Sequence, residues 1–308
     1  MHGDLQRSVL AVPPLARKVD LSLDRKANAA LIRHIEQGGV STVMYGGNAN
    51  FYNIGLYEYA DVLDMLLEAA SLDTWIIPSA GPDFGKMLDQ ATILRGQPFP
   101  TAMVLPASGN STPEGVESGI AAFVERLGKP AIIYVKSEAY ITPRAIARLS
   151  ERGLVKAVKY AVVREDPVRD PFLRALLDLV DPALVISGIG ERPAIVHWRE
   201  FGLSSFTSGS VCIAPRASQM ILSALRKEDY AAAERLRAAF IPLEDCRDAW
   251  NPVRVLHDAV SLSGIADMGP VLPLMSNLDP ERQDRVEAVA KELLAFNTAL
   301  ERSKEHAA

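Results

Sequence analysis

Two residues with reactive side chains, Lys159 and Tyr134, stand near the ends of two short apolar segments. Lys159 belongs to "LVKAVKY", where the alternation of a strand would place Val155, Ala157 and Lys159 on one face. Apolar neighbours would lower the pKa of the amine, because burial removes the solvation of the charged form. Such an amine attacks a carbonyl carbon and forms a Schiff base. A lysine in a salt bridge at the rim of the fold is the alternative that the residues leave open.

Tyr134 and a pair of glycines could serve the same chemistry. A phenol at the end of "AIIY" could move protons to and from a Schiff-base intermediate, although an ordinary rim tyrosine would look the same. Gly46 and Gly47 follow "STVMY", and successive glycine N–H groups in a tight turn can bind an anion. We expect Gly46, Gly47 and Asn48 to hold a carboxylate; a plain turn with Asn48 left-handed is the alternative. Together these groups suit a 2-oxo acid such as pyruvate.

The bulk composition argues against several other classes of function. The 308 residues carry a net charge of −5 without a basic cluster, which argues against nucleic-acid binding. Two cysteines, Cys212 and Cys246, provide no disulfide framework and fit a reducing cytoplasm. No segment has the length and apolarity of a signal peptide or a membrane span. The five histidines never fall at metal-ligand spacing, so we expect neither a protein-bound catalytic metal nor a cofactor.

The elements that must position these side chains alternate regularly up to residue 226. Eight short apolar segments rich in β-branched residues read as buried strands, and stretches with helical periodicity lie between them. The segments are "SVLAV", "VSTVMY", "TWIIP", "TAMVLP", "AIIYV", "LVKAVKY", "ALVIS" and "SSFTS". Eight such units predict an α/β fold, a closed (β/α)8 TIM barrel over residues 1–226. Residues 227–308 show only helical patterns and predict a C-terminal helical layer added to the barrel.

A barrel of this kind gathers the carboxyl ends of its strands at one face, where its reacting groups lie. Lys159, Tyr134 and the glycine pair all fall at such ends. The seventh and eighth ends, "SGIG" and "SGSV", bring Gly188, Ser208 and Gly209 to the same face. The chemistry and the architecture therefore agree on one site.

With these residues in place, the chain resembles the dihydrodipicolinate synthase / N-acetylneuraminate lyase family of class I aldolases and lyases over nearly its whole length. The family's G-[ST]-T-G-E loop falls on residues 46–50, its tyrosine on Tyr134 and its G-x-K lysine on Lys159. The resemblance implies that Lys159 forms the Schiff base and that Tyr134 relays protons. It also implies substrate binding by the seventh and eighth strand ends and a homotetramer built from two dimers.

The chain departs from the family pattern in the loop after the second strand and in the segment that begins at Tyr134. Gly47 and Asn48 stand where threonines are usual, so Asn48, Asn50 or Tyr52 would have to supply the missing link of the proton relay. "YVKSEA" is similar to the "YNRDNA" of the family's sugar-acid dehydratases. Lys136 would then face a distal carboxylate or hydroxyl of the substrate; a solvated rim charge is the alternative.

The sequence therefore predicts a Schiff-base-forming lyase, an aldolase or a dehydratase, that acts on pyruvate or a 2-oxo-3-deoxy sugar acid. Two alternatives remain at this point. One is a true 4-hydroxy-tetrahydrodipicolinate synthase, which the fourth strand end "PASGNS" disfavours because the synthases carry an aromatic pair there. The other is a non-catalytic barrel that binds a small acid.

Overall fold

The computed structural model describes residues 5–305, with side chains described as far as residue 302. The outermost parts of the two predicted domains, residues 1–4 and 306–308, lie outside this range, and so do His2 and His306. No helix among the described residues is both long and apolar enough to cross a membrane.

Nine short parallel strands within residues 5–305 form the centre of the fold, and all but one, Ser79–Ala80, coincide with predicted segments. They are β1 (Leu10–Ala11), β2 (Thr42–Met44), β3 (Trp75–Ile77), β4 (Ser79–Ala80), β5 (Met103–Val104), β6 (Ala131–Val135), β7 (Val155–Tyr160), β8 (Val185–Ser187) and β9 (Thr207–Ser208). Only Pro78 separates β3 from β4, and proline has no N–H to donate to the ladder. The nine strands therefore represent eight units, as the sequence predicts.

The strands pair in the order expected for a barrel. One sheet runs β3-β2-β1-β9 and the other runs β4-β5-β6-β7-β8. The chain itself connects the two sheets at Pro78, and a parallel bridge between Ser187 and Phe206 connects them again on the opposite side. This arrangement confirms the predicted (β/α)8 fold class.

Twelve α-helices accompany the strands within residues 5–305. They are α1 (Arg25–Gln37), α2 (Leu56–Ala69), α3 (Phe84–Leu94), α4 (Pro113–Leu127), α5 (Pro143–Glu151), α6 (Pro171–Leu177), α7 (Glu191–Phe201), α8 (Pro215–Arg226), α9 (Tyr230–Ala238), α10 (Ile241–Trp250), α11 (Pro252–Leu262) and α12 (Pro280–Glu305). Helices α1 to α8 alternate with the strands, and α9 to α12 follow one another within the described chain. The division of the chain into two domains at residue 226 stays a prediction.

Local sequence signals explain where the helices of the barrel begin. The side chains of Thr112, Thr142 and Asp170 each accept a hydrogen bond from the N–H three residues later, at the starts of α4, α5 and α6. A proline follows each cap directly, at the first helical position, where its missing N–H costs no hydrogen bond. These caps fix the points at which the chain turns from the strand ends into the outer layer.

Candidate active site

Lys159 and Tyr134 face each other because β6 and β7 pair in parallel register. The two residues are direct partners in that register. The Nζ atom of Lys159 lies 4.2 Å from the centre of the Tyr134 ring. Only 5% of Lys159 and 8% of Tyr134 is exposed to solvent. Lys156, three residues earlier and on the opposite face of the strand, is half-buried and places its Nζ 5.8 Å from the centre of the Trp75 ring.

The surroundings of Lys159 favour the neutral amine. Burial, followed by the positive charges of Lys136 and Arg247, lowers the pKa of Lys159 to about 7. Both charges that act on Lys159 are positive. A salt bridge, the alternative left open by the sequence, would instead require a negative partner. At neutral pH a large share of the amine carries a free electron pair and is able to attack a carbonyl carbon. Burial also raises the pKa of Tyr134 to about 12, so its hydroxyl keeps its proton.

A cavity of about 190 Å³ opens over this pair. Its volume is below the roughly 300–1,000 Å³ of pockets for drug-sized ligands, so it suits a small molecule. Of the nine residues singled out from the sequence, the structure brings seven to its wall: Lys159, Tyr134, Gly47, Asn48, Lys136, Gly188 and Gly209.

Gly46 and Ser208 are the two predicted residues that do not line this cavity. Gly46 is buried, and a Cβ there would lie 2.6 Å from the Met103 methyl and 3.1 Å from Ser79 Oγ. Its bare backbone therefore allows close packing inside the barrel. The Ser208 hydroxyl donates to Glu191 Oε2 at 2.7 Å, so it acts on a neighbouring side chain. Contact of either residue with a substrate stays a prediction.

Gly188 shapes the position of Lys159. A Cβ at residue 188 would lie 2.6 Å from the Tyr160 carbonyl oxygen and 3.0 Å from Cγ of Lys159. The Gly188 N–H donates to the same carbonyl at 2.6 Å. A side chain at this place would displace the stem of the lysine, so glycine here holds the amine over Tyr134.

The loop after β2 differs in detail from the expectation. Asn50, with φ 56°, is the left-handed residue of the turn, whereas Asn48 is not. The Asn48 side-chain amide donates to the Val12 carbonyl at 2.7 Å, which anchors the loop. A Cβ at residue 47 would meet only the Tyr52 ring, at 3.8 Å. Of the three residues considered for the missing relay link, Tyr52 is thus the one beside the place of the absent hydroxyl.

Helix α10 adds three ionisable residues that sequence reasoning missed, Glu244, Arg247 and Asp248. All three line the cavity, together with Arg192 from α7. Arg247 Nη1 lies 3.4 Å from Ser210 Oγ, and a Cβ at Gly209 would lie 2.6 Å from Arg247 Nη2. The segment "IPLEDCRDAW" contains no motif that would mark it, because its place over the barrel is set by tertiary packing alone. In the sequence, the glycine at residue 209 is the signal that another side chain, here Arg247, packs closely at this point.

A second, larger cavity of about 990 Å³ lies elsewhere, between α3, α4 and the loop after β5. Among the described residues that line it, Asp83 is the only one with a formal charge at neutral pH. Lys159 is not part of its wall. The smaller cavity is therefore the better candidate for the active site, because its wall contains the lysine amine.

Comparison with known proteins agrees with this geometry. A sequence model of the Dihydrodipicolinate synthetase family matches residues 10–293. The chain belongs to this family. The Dihydrodipicolinate synthetase family comprises lyases, aldolases and dehydratases that act on small 2-oxo acids.

Individual relatives are distant but extend over the whole chain. A probable 5-dehydro-4-deoxyglucarate dehydratase from Bradyrhizobium diazoefficiens is 22% identical and covers 97% of this chain and 96% of its own. The structure of dihydrodipicolinate synthase from Bacillus clausii superposes with a TM-score of 0.83 at 22% identity, over 94% of this chain and 98% of that one. The Ruminococcus gnavus sialic acid aldolase gives 0.84 at 11% identity, over 96% and 99%. At these identities the solved structures show the shared fold.

Proposed function

We propose that this protein is a Schiff-base-forming dehydratase of a 2-oxo-3-deoxy sugar acid that carries a second carboxylate. One observation carries the proposal: a buried lysine amine lies over a tyrosine ring in a small cavity whose wall also holds Lys136 and Arg247. The dehydratase of Bradyrhizobium diazoefficiens, similar over almost the full length, supports the reaction type. A solved form of the Ruminococcus gnavus aldolase is a catalytic lysine mutant, which supports the role of a lysine in this fold.

The proposed reaction begins at Lys159. Its neutral amine adds to the 2-oxo carbon, and the Tyr134 hydroxyl donates its proton to the oxygen that leaves as water, which gives a protonated imine. The Tyr134 oxygen then takes a proton from the neighbouring carbon, and an enamine forms. The enamine expels the hydroxyl on the next carbon and regenerates the imine, which hydrolysis releases from Lys159.

Two cations at the cavity wall fit a second carboxylate. Lys136 is exposed and Arg247 is half-buried, and both act electrostatically on Lys159. A single carboxylate beside the reacting carbonyl would use the backbone N–H groups at Gly47. A dianionic substrate additionally gives the guanidinium of Arg247 a partner, and hydrogen bonds to charged groups contribute more than neutral ones. The charge of the cavity thus favours a diacid over pyruvate.

Replacement of Arg247 tests this assignment. We expect Arg247→Met to raise KM for 5-dehydro-4-deoxyglucarate about 10- to 100-fold, the equivalent of one lost charged hydrogen bond. The borohydride-trapped pyruvate adduct should still form, because pyruvate has no second carboxylate. Arg235→Met, at an exposed position near the end of α9, is the matched control and should change neither quantity. An unchanged preference for the diacid over pyruvate in Arg247→Met would place the second carboxylate elsewhere.

A larger side chain at residue 47 tests the site proposed for the carboxylate beside the reacting carbonyl. A side chain there has room, since its Cβ would touch only the Tyr52 ring, so the fold should tolerate Gly47→Val. We expect this variant to need at least tenfold more pyruvate for half-maximal trapping, because the added methyl groups would occupy the approach to the backbone N–H groups. A thermal melt close to that of the wild type provides the folding control. Normal trapping by Gly47→Val would exclude an anion site at this turn.

A further inference from the structure

Two buried carboxyl groups that interact electrostatically lie at and near the cavity wall. Glu191 begins α7 and has no exposed surface, and Glu244 on α10 is 3% exposed. The backbone N–H of Glu191 donates to Glu244 Oε1 at 3.0 Å. Two interacting carboxyl groups this deeply buried do not both ionise near neutral pH, because each charge disfavours the other and neither is solvated.

The hydrogen bonds indicate which of the two holds the proton. Glu191 accepts a hydroxyl hydrogen bond at each oxygen, from Ser208 at 2.7 Å and from Ser218 at 2.6 Å. These bonds favour its charged form and oppose the effect of burial, which raises the pKa of Glu191. Oε2 of Glu244, in contrast, is buried and has no hydrogen-bond partner within the described part of the chain. The proton therefore belongs on Glu244, whose side chain lines the same cavity as Lys159.

The charges around Glu244 come from both packed helices. Burial is the largest influence, and with Glu191 it raises the pKa of Glu244 to about 8. Arg247, on the same helix, and Arg192, on α7, act in the opposite direction. Arg192 Nε is 3.9 Å from Glu244 Oε2, but its guanidinium also pairs with Asp245 and Asp248 at the surface.

We propose that Glu244 is the general acid that protonates the hydroxyl leaving the substrate. This inference rests on the dehydratase function proposed above. As the enamine restores the protonated imine, a carbon–carbon double bond forms and the carbon–oxygen bond breaks. The electron pair of that bond goes to oxygen, which takes the proton of Glu244 and departs as water. Glu244 is left as a carboxylate, and solvent returns its proton after the product has dissociated.

Glu244 also has a structural role, and the test must distinguish this role from proton donation. Its Oε1 accepts the first N–H of α7, and a Cβ at Gly190, where φ is +95°, would lie 2.5 Å from that oxygen. A glutamine keeps the shape of the side chain and an oxygen that can accept this hydrogen bond. It lacks only the transferable proton. Glu244→Gln is therefore the informative variant.

We expect Glu244→Gln to lower kcat for 5-dehydro-4-deoxyglucarate about 100-fold or more, within the range for a proton-transfer group. Trapping of pyruvate on Lys159 should stay within about threefold of the wild type, because imine formation does not use Glu244. Glu281→Gln, at an exposed position in the first turn of α12, is the matched control; it does not line the cavity and should leave both quantities unchanged. Full dehydratase activity in Glu244→Gln would overturn the proposal.

A substrate with a better leaving group distinguishes a general acid from a residue whose role is only structural. Fluoride in place of the departing hydroxyl leaves without full proton transfer, so Glu244→Gln should eliminate fluoride within about tenfold of the wild-type rate. Equal losses with hydroxyl and fluoride would overturn the proposal. If the wild type itself traps pyruvate but dehydrates no 2-oxo-3-deoxy acid, the proposed function fails and this inference fails with it.

Glu191→Gln gives a second readout that does not depend on the stability of Glu244→Gln. Loss of the neighbouring charge lowers the pKa of Glu244. The alkaline limb of the kcat profile, where the acid loses its proton, should then move to lower pH, while the wild-type limb lies near the pKa of about 8. An alkaline limb that does not move would overturn the assignment of Glu244 as the acid.

Discussion

Lys159→Ala is expected to abolish both the borohydride-trapped pyruvate adduct and all turnover while the protein stays folded. The amine is the group in the proposed reaction that bonds covalently to the substrate, and it lies over the Tyr134 ring. Stability should not suffer, because a buried amine with a depressed pKa destabilises the folded state when it is charged. Peptide mass spectrometry of the reduced adduct, together with a thermal melt, measures both outcomes.

Two other lysines serve as controls for this result. Lys156 lies on the same strand but directs its Nζ toward the Trp75 ring, and Lys136 is exposed at the cavity wall. Lys156→Ala should trap pyruvate normally. Lys136→Ala should also trap it, with a slightly higher pKa at Lys159 because one positive neighbour is gone. An adduct that maps to either of these lysines would contradict the strand-face argument.

The pH dependence of trapping follows from the same burial. With a pKa of about 7, Lys159 is mostly neutral above pH 7 and increasingly protonated below it. The trapping rate should therefore fall about tenfold per pH unit on the acidic side and reach a plateau on the alkaline side. A lysine with its ordinary pKa of about 10.4 would still gain rate between pH 8 and pH 10. The pH at which the trapping rate reaches its plateau thus reports the burial of this amine.

The sequence predicts the fold and the placement of Lys159 beside Tyr134 because both depend on local patterns, and the reaction of this pair with a substrate stays a prediction. Strand alternation in "LVKAVKY" separates Lys159 from Lys156, and the eight-unit repeat places Lys159 and Tyr134 on neighbouring strand ends. Both features persist in the structure, where the two residues are register partners. Periodicity and spacing carry this information without reference to any distant part of the chain.

The rest of the site depends on contacts that no local pattern encodes. Glu244 and Arg247 reach the cavity from a helix that begins 82 residues after Lys159, and their roles depend on how α10 packs against α7. Gly46 and Ser208 stand next to lining residues in the sequence, yet one packs against Met103 and the other binds Glu191. In a turn, adjacent residues point in different directions, so neighbourhood in sequence does not decide which one meets a ligand. The homotetramer and the cytoplasmic location stay predictions.

Tyr134→Phe is expected to lower turnover about 100-fold or more while a slowly formed imine can still be trapped. Phenylalanine keeps the ring that underlies the Lys159 amine and removes the hydroxyl that donates and recovers the proton. Burial raises the pKa of Tyr134 to about 12, so the hydroxyl starts the reaction as an acid, in keeping with its first step. Stopped-flow turnover and borohydride trapping measure the two outcomes separately. Tyr230→Phe, on α9 and half-buried, is the matched control and should have the activity of the wild type.

The outcome for Tyr134→Phe also decides how the altered loop affects the proton relay. Gly47 provides no hydroxyl, and the Tyr52 ring lies beside the place where one would be. If the relay continues through Tyr52, then Tyr52→Phe should slow turnover as well, and the double variant should lose little more than Tyr134→Phe alone, because both residues serve one proton path. Unchanged kinetics in Tyr134→Phe would instead assign the proton transfers to Tyr52 or Tyr140. Independent, multiplicative losses in the double variant would show that the two phenols act on different steps.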